Sequence, residues 1–406
     1  MTCIELFDRN FTDNVCSCLA FSPQKVILLG KEKNISKYAK RFEEIFRKRG
    51  CKTEFSSVTL ERTDMKKILE TLTSIVEENI SDNCTFDLTG GDDQYLVAVG
   101  IILERYKGRV QAHCINARNG EMIDCDCDGA VIGNYKQPKM TFEENVKLYG
   151  GVINETSSSA WKFTEEFLND LEEMWKICIS DPKKWNIQTA YLNAMSVNEN
   201  SYSGLSASAR RKTLKAFGTN ARIEEEFDVE FIKNLHNAGV LSECFCDSDT
   251  VRIQYKNEQI KRCLLKAGQV LELKVLAVAK SIEENGENFY NDAQTGIYIT
   301  WENQTETKSD DVFNEIDVVL MKGMVPVFVS CKNGKFSSNE LYKLSTVAEK
   351  FGGKYAKKIV VTTCKECASN MRSRATEHKI GIVLITKEMS EEKIKRKIKS
   401  LWSNNG

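Results

Sequence analysis

The alternation of strand-like and helix-like segments over the first 140 residues most constrains the fold. Residues 25–30 (KVILLG) form a continuous apolar run, which is typical of a strand buried on both faces of a parallel sheet. Residues 35–49 follow with Phe42 and Phe46 on one helical face. The same order repeats up to residue 140, so residues 1–140 are predicted to form a Rossmann-like, doubly wound α/β domain with a mostly parallel sheet.

The C-terminal third predicts a second α/β domain over residues 259–406. Residues 259–281 have the pattern of one long helix, and three strands, a helix and a further strand follow it. Residues 141–258 between the two domains predict a connector, helical with a small hairpin and similar to a winged helix. A chain of 406 residues is long enough for this division into three.

Composition narrows the classes of protein that fit. The net charge is −1, so no overall positive field attracts nucleic acid, and such binding would depend on local patches or metal ions. No apolar run is long enough to cross a bilayer, and the N-terminus lacks the features of a signal peptide. We therefore expect a cytoplasmic protein with no membrane partner. The 15 cysteines are spread along the chain, which favours buried thiols over disulfides or a zinc site.

Two polar loops are predicted to meet at one edge of the first sheet. Residues 8–14 follow the first strand, and residues 89–93 (TGGDD) join a buried strand to a helix. Paired glycines allow close approach of a ligand, and a helix N-terminus offers free N–H groups. A tight turn with aspartates at the helix N-terminus explains the same residues without a ligand.

Acidic residues in apolar elements mark the C-terminal domain. Asp317 lies inside a strand-like run, and Glu315 points to the same face. Glu272 lies on an apolar helical stripe, where a metal or a pairing with Lys266 or Lys280 would satisfy it. Lys332 ends the next strand. A carboxylate on one strand with a lysine at the end of its neighbour is typical of a metal-dependent nuclease centre.

The N-terminal domain resembles a CARF domain, the ligand-sensing module of CRISPR-associated ancillary effectors. The resemblance rests on FDRNFTDN after the first strand, on KVILLG and on the strand–TGG–helix element. It implies a homodimer that binds cyclic oligoadenylate with these two loops. The side chains implied are Asp8, Arg9, Asn10, Thr12, Asn14, Thr89, Gly90, Gly91, Asp92 and Asp93. This chain has DDQ after TGG, where the family often has a longer basic or hydroxyl-bearing element.

The C-terminal domain resembles the PD-(D/E)xK restriction-endonuclease-like fold. Asp317 and Lys332 match the central aspartate and the lysine of that family, and Glu272 matches the acid of the first helix. The acid two residues before the lysine is replaced by Ser330. We expect Glu340, on the inward face of the following helix, to take its place. The resemblance implies catalysis by Asp317, Lys332, Glu340 and Glu272. It also implies that Asp317, Glu340, Glu272 and the Cys331 carbonyl bind Mg²⁺ or Mn²⁺.

The two resemblances together predict a nuclease of type III CRISPR antiviral defence that cyclic oligoadenylate, expected to be the tetra-adenylate ring, activates allosterically. A two-fold ring suits a two-fold dimer. The substrate would be DNA, RNA or both. Two alternatives stay open. One is a ligand-gated nucleic-acid-binding regulator with a degenerate nuclease domain. The other is an ungated nuclease that uses the CARF-like domain for dimerisation.

Overall fold

A computed structural model of the chain describes residues 1–31, 35–125, 131–134, 137–156, 161–197, 204–223, 225–301 and 314–403. The helices over these residues, in chain order, are α1 Asp13–Phe21, α2 Ile35–Lys48, α3 Met65–Asn79, α4 Asp93–Arg105, α5 Phe142–Leu148, α6 Glu165–Ser180, α7 Pro182–Val197, α8 Arg211–Asn220, α9 Val229–Asn237, α10 Glu258–Leu265, α11 Gln269–Lys280, α12 Ser338–Gly352, α13 Ser369–Glu377 and α14 Glu391–Ser403. Short 3₁₀ turns lie at Ile80–Asp82 and Gly353–Tyr355. None of the described helices combines the length and the apolar character that crossing a bilayer requires.

The strands belong mainly to two large sheets. They are β1 Thr2–Leu6, β2 Lys25–Gly30, β3 Glu54–Thr59, β4 Cys84–Asp87, β5 Gln111–Ile115, β6 Glu121–Asp124, β7 Val131–Asn134, β8 Gly151–Thr156, β9 Ser206–Arg210, β10 Leu241–Cys246, β11 Thr250–Tyr255, β12 Glu283–Glu284, β13 Glu287–Asn288, β14 Asp292–Trp301, β15 Asn314–Lys322, β16 Val325–Lys332, β17 Lys357–Thr362 and β18 Ile380–Leu384.

The first sheet has the order β3-β2-β1-β4-β5-β6-β7, and its first five strands run parallel. This confirms the predicted doubly wound α/β architecture. Strands β1 and β4 are neighbours, with Glu5 opposite Asp87. The loops that follow these two strands therefore leave the sheet side by side, as their positions in the sequence predict.

The middle of the chain has helices α6 to α9 and a small antiparallel sheet of order β10-β11-β9. This matches the expected combination of helices with a hairpin, although β9 adds a third strand. Trp185 and Tyr255 are completely buried in its core, which continues into α11 and the second sheet. The connector therefore packs on the C-terminal domain as one hydrophobic core, and the domain limits at 140 and 258 stay predictions.

The second sheet has the order β18-β17-β16-β15-β14-β8. Strands β14, β15 and β16 are antiparallel, whereas β16, β17 and β18 are parallel. The sixth strand, β8, was assigned to the connector from sequence. It pairs with β14 at the sheet edge, which a short polar segment of sequence does not reveal.

The predicted single helix over 259–281 is two helices. Lys266 adopts an extended conformation (φ −123°, ψ 112°) and ends α10, and Gly268 precedes α11. The break has a consequence for the candidate site, because it directs the Lys266 ammonium group back toward the first turn of α11.

A hydrophobic core joins the N-terminal and C-terminal domains. It includes Phe42 of α2, Phe142 of α5, and Phe328 and Phe351 of the second sheet and its covering helix. The Phe142 and Phe328 rings meet edge to face with centroids 5.7 Å apart. The two domains therefore share a packed interface through α5, rather than being linked only by a flexible chain.

Candidate functional site

An open cleft of about 570 Å³ lies beside β15 and β16, and its lining includes Asp317, Lys332 and Glu340. We call it the acidic cleft. The Lys332 Nζ atom lies 3.6 Å from Asp317 Oδ2 and 3.1 Å from Glu340 Oε2. The antiparallel pairing of β15 with β16 brings Asp317 and Lys332 together. Glu340 reaches them from the first turn of α12, as the sequence predicted.

Hydrogen bonds fix the Asp317 carboxylate. Its Oδ2 atom accepts from the Cys331 backbone N–H at 2.7 Å and from Ser330 Oγ at 3.3 Å. Ser330, which replaces the expected acid, therefore acts as a donor to Asp317. The β15–β16 register ends at Val318 opposite Val329, and Cys331 pairs with Val361 of β17. The Cys331 carbonyl therefore stays a prediction as a metal ligand.

Glu272 lies apart from the acidic cleft lining. It is 3% exposed, and its Oε1 atom lies 3.3 Å from Lys266 Nζ, which is also 3.0 Å from Glu315 Oε1. Gln269 donates to the other Glu272 oxygen at 3.2 Å. The structure thus shows the pairing with Lys266 that the sequence left open as an alternative to a metal.

Electrostatic interactions link the Glu272–Lys266 pair to the charges of the acidic cleft. Burial raises the pKa of Glu272 to about 7, because the nearby Lys266 only partly offsets the desolvation and Asp317 adds repulsion. Burial alone would lower the pKa of Lys332, but the Asp317 and Glu340 carboxylates outweigh it and raise that pKa. Lys332 therefore stays a cation at neutral pH.

Asp317 and Glu340 fit a divalent cation of the Mg²⁺ or Mn²⁺ type. Both are carboxylates that line an open cleft, and both already gather around one positive charge, the Lys332 ammonium group. Their oxygens do not form a closed cluster with Glu272. Within the described part of the chain, three ligand-type side chains lie within 4.8 Å of one another only at Cys3, Glu5 and Cys18.

That cysteine–glutamate group belongs to the core of the first sheet. Cys18 Sγ lies 3.2 Å and Cys3 Sγ 3.7 Å from Glu5 Oε1. Burial raises the pKa of Glu5 well above its ordinary value, and Asp87 raises it further, so a protonated carboxyl satisfies the group without a metal.

The two polar loops of the N-terminal domain do converge. A Cβ atom on Gly90 would lie 2.8 Å from Asp8 Cβ, and one on Gly91 would lie 2.6 Å from Leu6 Cβ. Gly91 also has a φ of +102°. Both glycines are therefore required by the close packing of the two loops, whatever ligand they bind.

Residues 8–14, which we call the sensor loop, turn most of their polar side chains inward. Asn14 bonds the Asp8 backbone through its Oδ1 and Nδ2 atoms at 2.8 and 2.6 Å, and Asp8 Oδ1 accepts from the Asn10 N–H at 2.7 Å. Asn10, Thr12 and Asn14 are buried, whereas Arg9 is exposed. The structure therefore gives most of these predicted ligand contacts a structural role as well.

The glycine loop, residues 89–93, presents a different surface. Thr89 donates its N–H to Asp87 at 2.7 Å, which fixes the start of the loop. Asp92 and Asp93 are exposed, and Asp92 forms an ion pair with Lys31 at the end of β2. Lys31 adds a positive charge at this edge, and no pattern in the sequence marks it as a candidate.

Lys266, Lys354 and Tyr355 were also missed from sequence as candidate functional residues. Lys266 was considered only as a partner of Glu272. Lys354 and Tyr355 contact the sensor loop from the C-terminal domain, through a pairing separated by more than 300 residues. The irregular turn that carries them has no periodic signal in the sequence.

Residues 258–403 match the family described as Card1-like, endonuclease domain. No curated protein matched the sequence. Among solved structures, protein VC1899 from Vibrio cholerae has a TM-score of 0.72 at 16% identity, covering 99% of this chain and 97% of that one. Can2 from Sulfobacillus thermosulfidooxidans, solved with cyclic tetra-adenylate, has a TM-score of 0.67 at 15% identity, covering 99% of each chain.

A third structure is a type III CRISPR defence DNA nuclease activated by cyclic oligoadenylate, with a TM-score of 0.51 at 15% identity. The match covers all of this chain and 52% of that one. These likenesses confirm the predicted fold, a CARF-type domain followed by a restriction-endonuclease-like domain. Residues 258–403 match the Card1-like endonuclease domain family, so this part of the chain is a nuclease domain that acts on phosphodiester bonds.

Proposed function

We propose that the chain is a metal-dependent nuclease that cyclic oligoadenylate, most simply the tetra-adenylate ring, switches on. One observation carries the proposal. In a Card1-like endonuclease domain, Asp317 and Glu340 converge on Lys332 in an open cleft, although the expected acid at position 330 is a serine. Glu340 thus supplies the second carboxylate that the site would otherwise lack.

The chemistry follows from these side chains. Asp317 and Glu340 would hold Mg²⁺ or Mn²⁺ together with the Cys331 carbonyl, and such a cation lowers the pKa of bound water and polarises a phosphate. The Cys331 N–H and the Ser330 hydroxyl keep Asp317 in one orientation. The Lys332 ammonium stabilises negative charge that develops on the phosphate during attack. Glu272 acts from behind the cleft, as part of the charge balance with Lys266.

The proposed activator site uses the edge where the sensor loop and the glycine loop meet. The exposed Arg9 and the Lys31–Asp92 pair provide charge there, and Gly90 and Gly91 are partly exposed and present backbone at this edge. Helix α4 begins at this edge. Its Val97 and Ile101 side chains are 59% and 40% exposed and lie four residues apart on one face. We propose that this face meets its copy in a homodimer that encloses the ring.

The decisive experiment measures strand cutting by the purified full chain with Mn²⁺, with and without cyclic tetra-adenylate. We expect cutting only when both are present, on DNA, RNA or both as substrates. Equal cutting in both arms would show an ungated nuclease. Absence of cutting in both, with nucleic acid still bound, would show a regulator with a degenerate nuclease domain. Light scattering of the same samples gives the mass, which we expect to be that of a dimer.

A further inference from the structure

The sensor loop is joined directly to the C-terminal domain by the 3₁₀ turn Gly353–Tyr355, which we call the junction turn. Tyr355 donates its hydroxyl to Asp13 Oδ1 at 2.8 Å, and Lys354 Nζ lies 2.5 Å from Asp13 Oδ2. The Lys354 N–H also bonds Asn10 Oδ1 at 3.1 Å. Three polar contacts thus connect two side chains of the sensor loop to one short turn.

The Asp13 carboxylate is shielded from water, although the Lys354 side chain that pairs with it is 51% exposed. Asp13 is 1% exposed, and burial raises its pKa while Lys354, Tyr355 and Asn10 oppose the shift. Separating Asp13 from its partners without replacing them would leave a buried carboxylate poorly compensated, which is costly. Release of Asp13 from the junction turn therefore requires another partner, such as water or a different side chain, to replace Lys354 and Tyr355.

Tyr149 strengthens the same contact from the segment between α5 and β8. Its hydroxyl donates to Asn10 Oδ1 at 3.0 Å and lies 3.1 Å from Thr12 Oγ1. A Cβ atom on Gly353 would collide with this hydroxyl and with Asn10, so only glycine allows the junction turn to approach so closely. Among the described residues the buried Asn10 Nδ2 has no hydrogen-bond partner, so the arrangement leaves one donor unsatisfied.

The junction turn joins α12, which carries Glu340 of the acidic cleft, to β17. It follows the last residue of α12, whose first turn carries Glu340, and a 15-residue helix spans about 22 Å. It precedes β17, whose Thr362 lies opposite Lys332 of β16. Lys358 of β17 donates to Ser345 of α12 at 2.9 Å, so the strand and the helix are tied to each other. The turn is therefore connected through α12 to Glu340 and through β17 to the strand that carries Lys332.

We propose that Lys354 and Tyr355 are positioning residues that link the ligand state of the sensor loop to the placement of Glu340 in the acidic cleft. The inference rests on the proposed function, because it assigns a role to the loop expected to bind cyclic oligoadenylate. Ring binding at the sensor loop alters its contact with the junction turn, and α12 transmits the change. Ring binding should also change the affinity of the nuclease site for metal or nucleic acid. By thermodynamic linkage, occupancy of the nuclease site then changes ring affinity by the same factor.

The test uses the conservative variants Tyr355→Phe, Lys354→Met and Asp13→Asn in the full chain. The activation ratio is the cutting rate with cyclic tetra-adenylate divided by the rate without it. We expect this ratio to fall about tenfold or more in each variant, with ring affinity measured by calorimetry changed less than threefold. Tyr106→Phe is the matched control, since it removes a surface hydroxyl bonded to Glu77 at 2.9 Å within the N-terminal domain.

A double-mutant cycle separates coupling from simple loss of structure. Asp13→Asn combined with Tyr355→Phe should reduce the activation ratio no further than either change alone, because both remove one connection. An unchanged ratio in all three variants, while the unmodified chain is activated normally, would overturn the role of the junction turn alone. If the unmodified chain shows no activation by the ring, the proposed function fails first and the inference fails with it.

Discussion

The acidic cleft and the sensor loop satisfy their polar groups in opposite ways. In the acidic cleft, carboxylates on regular elements are balanced by lysine ammonium groups, as Asp317 and Glu340 are by Lys332. In the sensor loop, Asn14 bonds backbone of its own loop, and Asp13 bonds the C-terminal domain. The cleft neutralises charge with charge. In the sensor loop Asp13 is also paired with the Lys354 ammonium group, but Asn14 uses its side chain to fix the shape of the backbone.

This difference indicates how each region would treat a ligand. A divalent cation can take over the role that an ammonium group has in the cleft, with little change in the surrounding strands. A ligand at the sensor loop instead meets a preformed backbone, with Arg9 among its exposed side chains. We therefore expect substitutions in the cleft to affect rate, and most substitutions in the loop to affect stability or coupling.

Replacing Asp317 with asparagine should have the largest effect. The variant keeps the shape of the side chain but loses the charge that would bind a metal, so cutting should fall about 1000-fold, or about 4 kcal/mol of activation free energy. Ring binding measured without metal or nucleic acid should be unchanged, because the acidic cleft lies in the other domain and is then unoccupied in both proteins. Asp247→Asn, in the exposed turn of the β10–β11 hairpin, is the control. Cutting within tenfold of normal would refute the metal assignment.

Lys332→Met should reduce cutting about 100-fold at saturating Mn²⁺, since it removes one charge that stabilises the transition state. The long apolar side chain retains the packing of the lysine stem. Single-turnover rates give the size of the loss, and the concentration of Mn²⁺ for half-maximal cutting tests whether metal binding changed. A rate equal to that of the unmodified chain would exclude Lys332 from the reaction.

Arg9→Ala tests an exposed residue of the sensor loop, and Asn14→Ala tests a buried one. Arg9 is exposed, and losing a charge-assisted contact to an anionic ring should weaken ring binding about tenfold with little loss of stability. Asn14 is buried, and its removal leaves backbone groups of Asp8 unpaired, so unfolding free energy should fall by about 2 kcal/mol. Calorimetric binding and denaturant unfolding distinguish the two. If Asn14→Ala instead weakened ring binding and left the unfolding free energy unchanged, Asn14 would contact the ligand.

The residues that sequence could identify share a local conflict. Asp317 in an apolar strand and Glu272 on an apolar helical stripe both contradict their surroundings, so the sequence alone marks each as a candidate. Glu340 was selected because helical spacing determines which face it occupies. The alternation of strands and helices that predicts the two α/β domains also follows from periodicity.

The features that sequence missed depend on contacts between distant segments. β8 joins the second sheet only because β14 offers an unpaired edge. The break at Lys266, which gives Glu272 its counter-ion, depends on an extended residue that helical spacing does not reveal. The junction turn approaches the sensor loop because two domains pack through α5. None of these has a local pattern, since each is decided by tertiary structure.

A further expected effect, on stability rather than on cutting, concerns Glu272 and pH. Its pKa rises from 4.5 to about 7 on folding. Between these values the folded chain binds more protons than the unfolded chain, so Glu272 makes stability fall as pH rises from 4.5 to about 7, by about 3 kcal/mol at most. Glu272→Gln should lack this decline, so its unfolding free energy relative to the unmodified chain should increase over that range and level off above pH 7.

Glu349→Gln is the control, because that side chain is 67% exposed and pairs with Lys358 on the outside of α12. The difference in unfolding free energy between Glu349→Gln and the unmodified chain should stay nearly constant with pH. If Glu272→Gln behaves in the same way, the glutamate is ionised throughout the range. Its pairing with Lys266 would then outweigh burial, and Glu272 would offer an ionised carboxylate beside the acidic cleft at every pH tested.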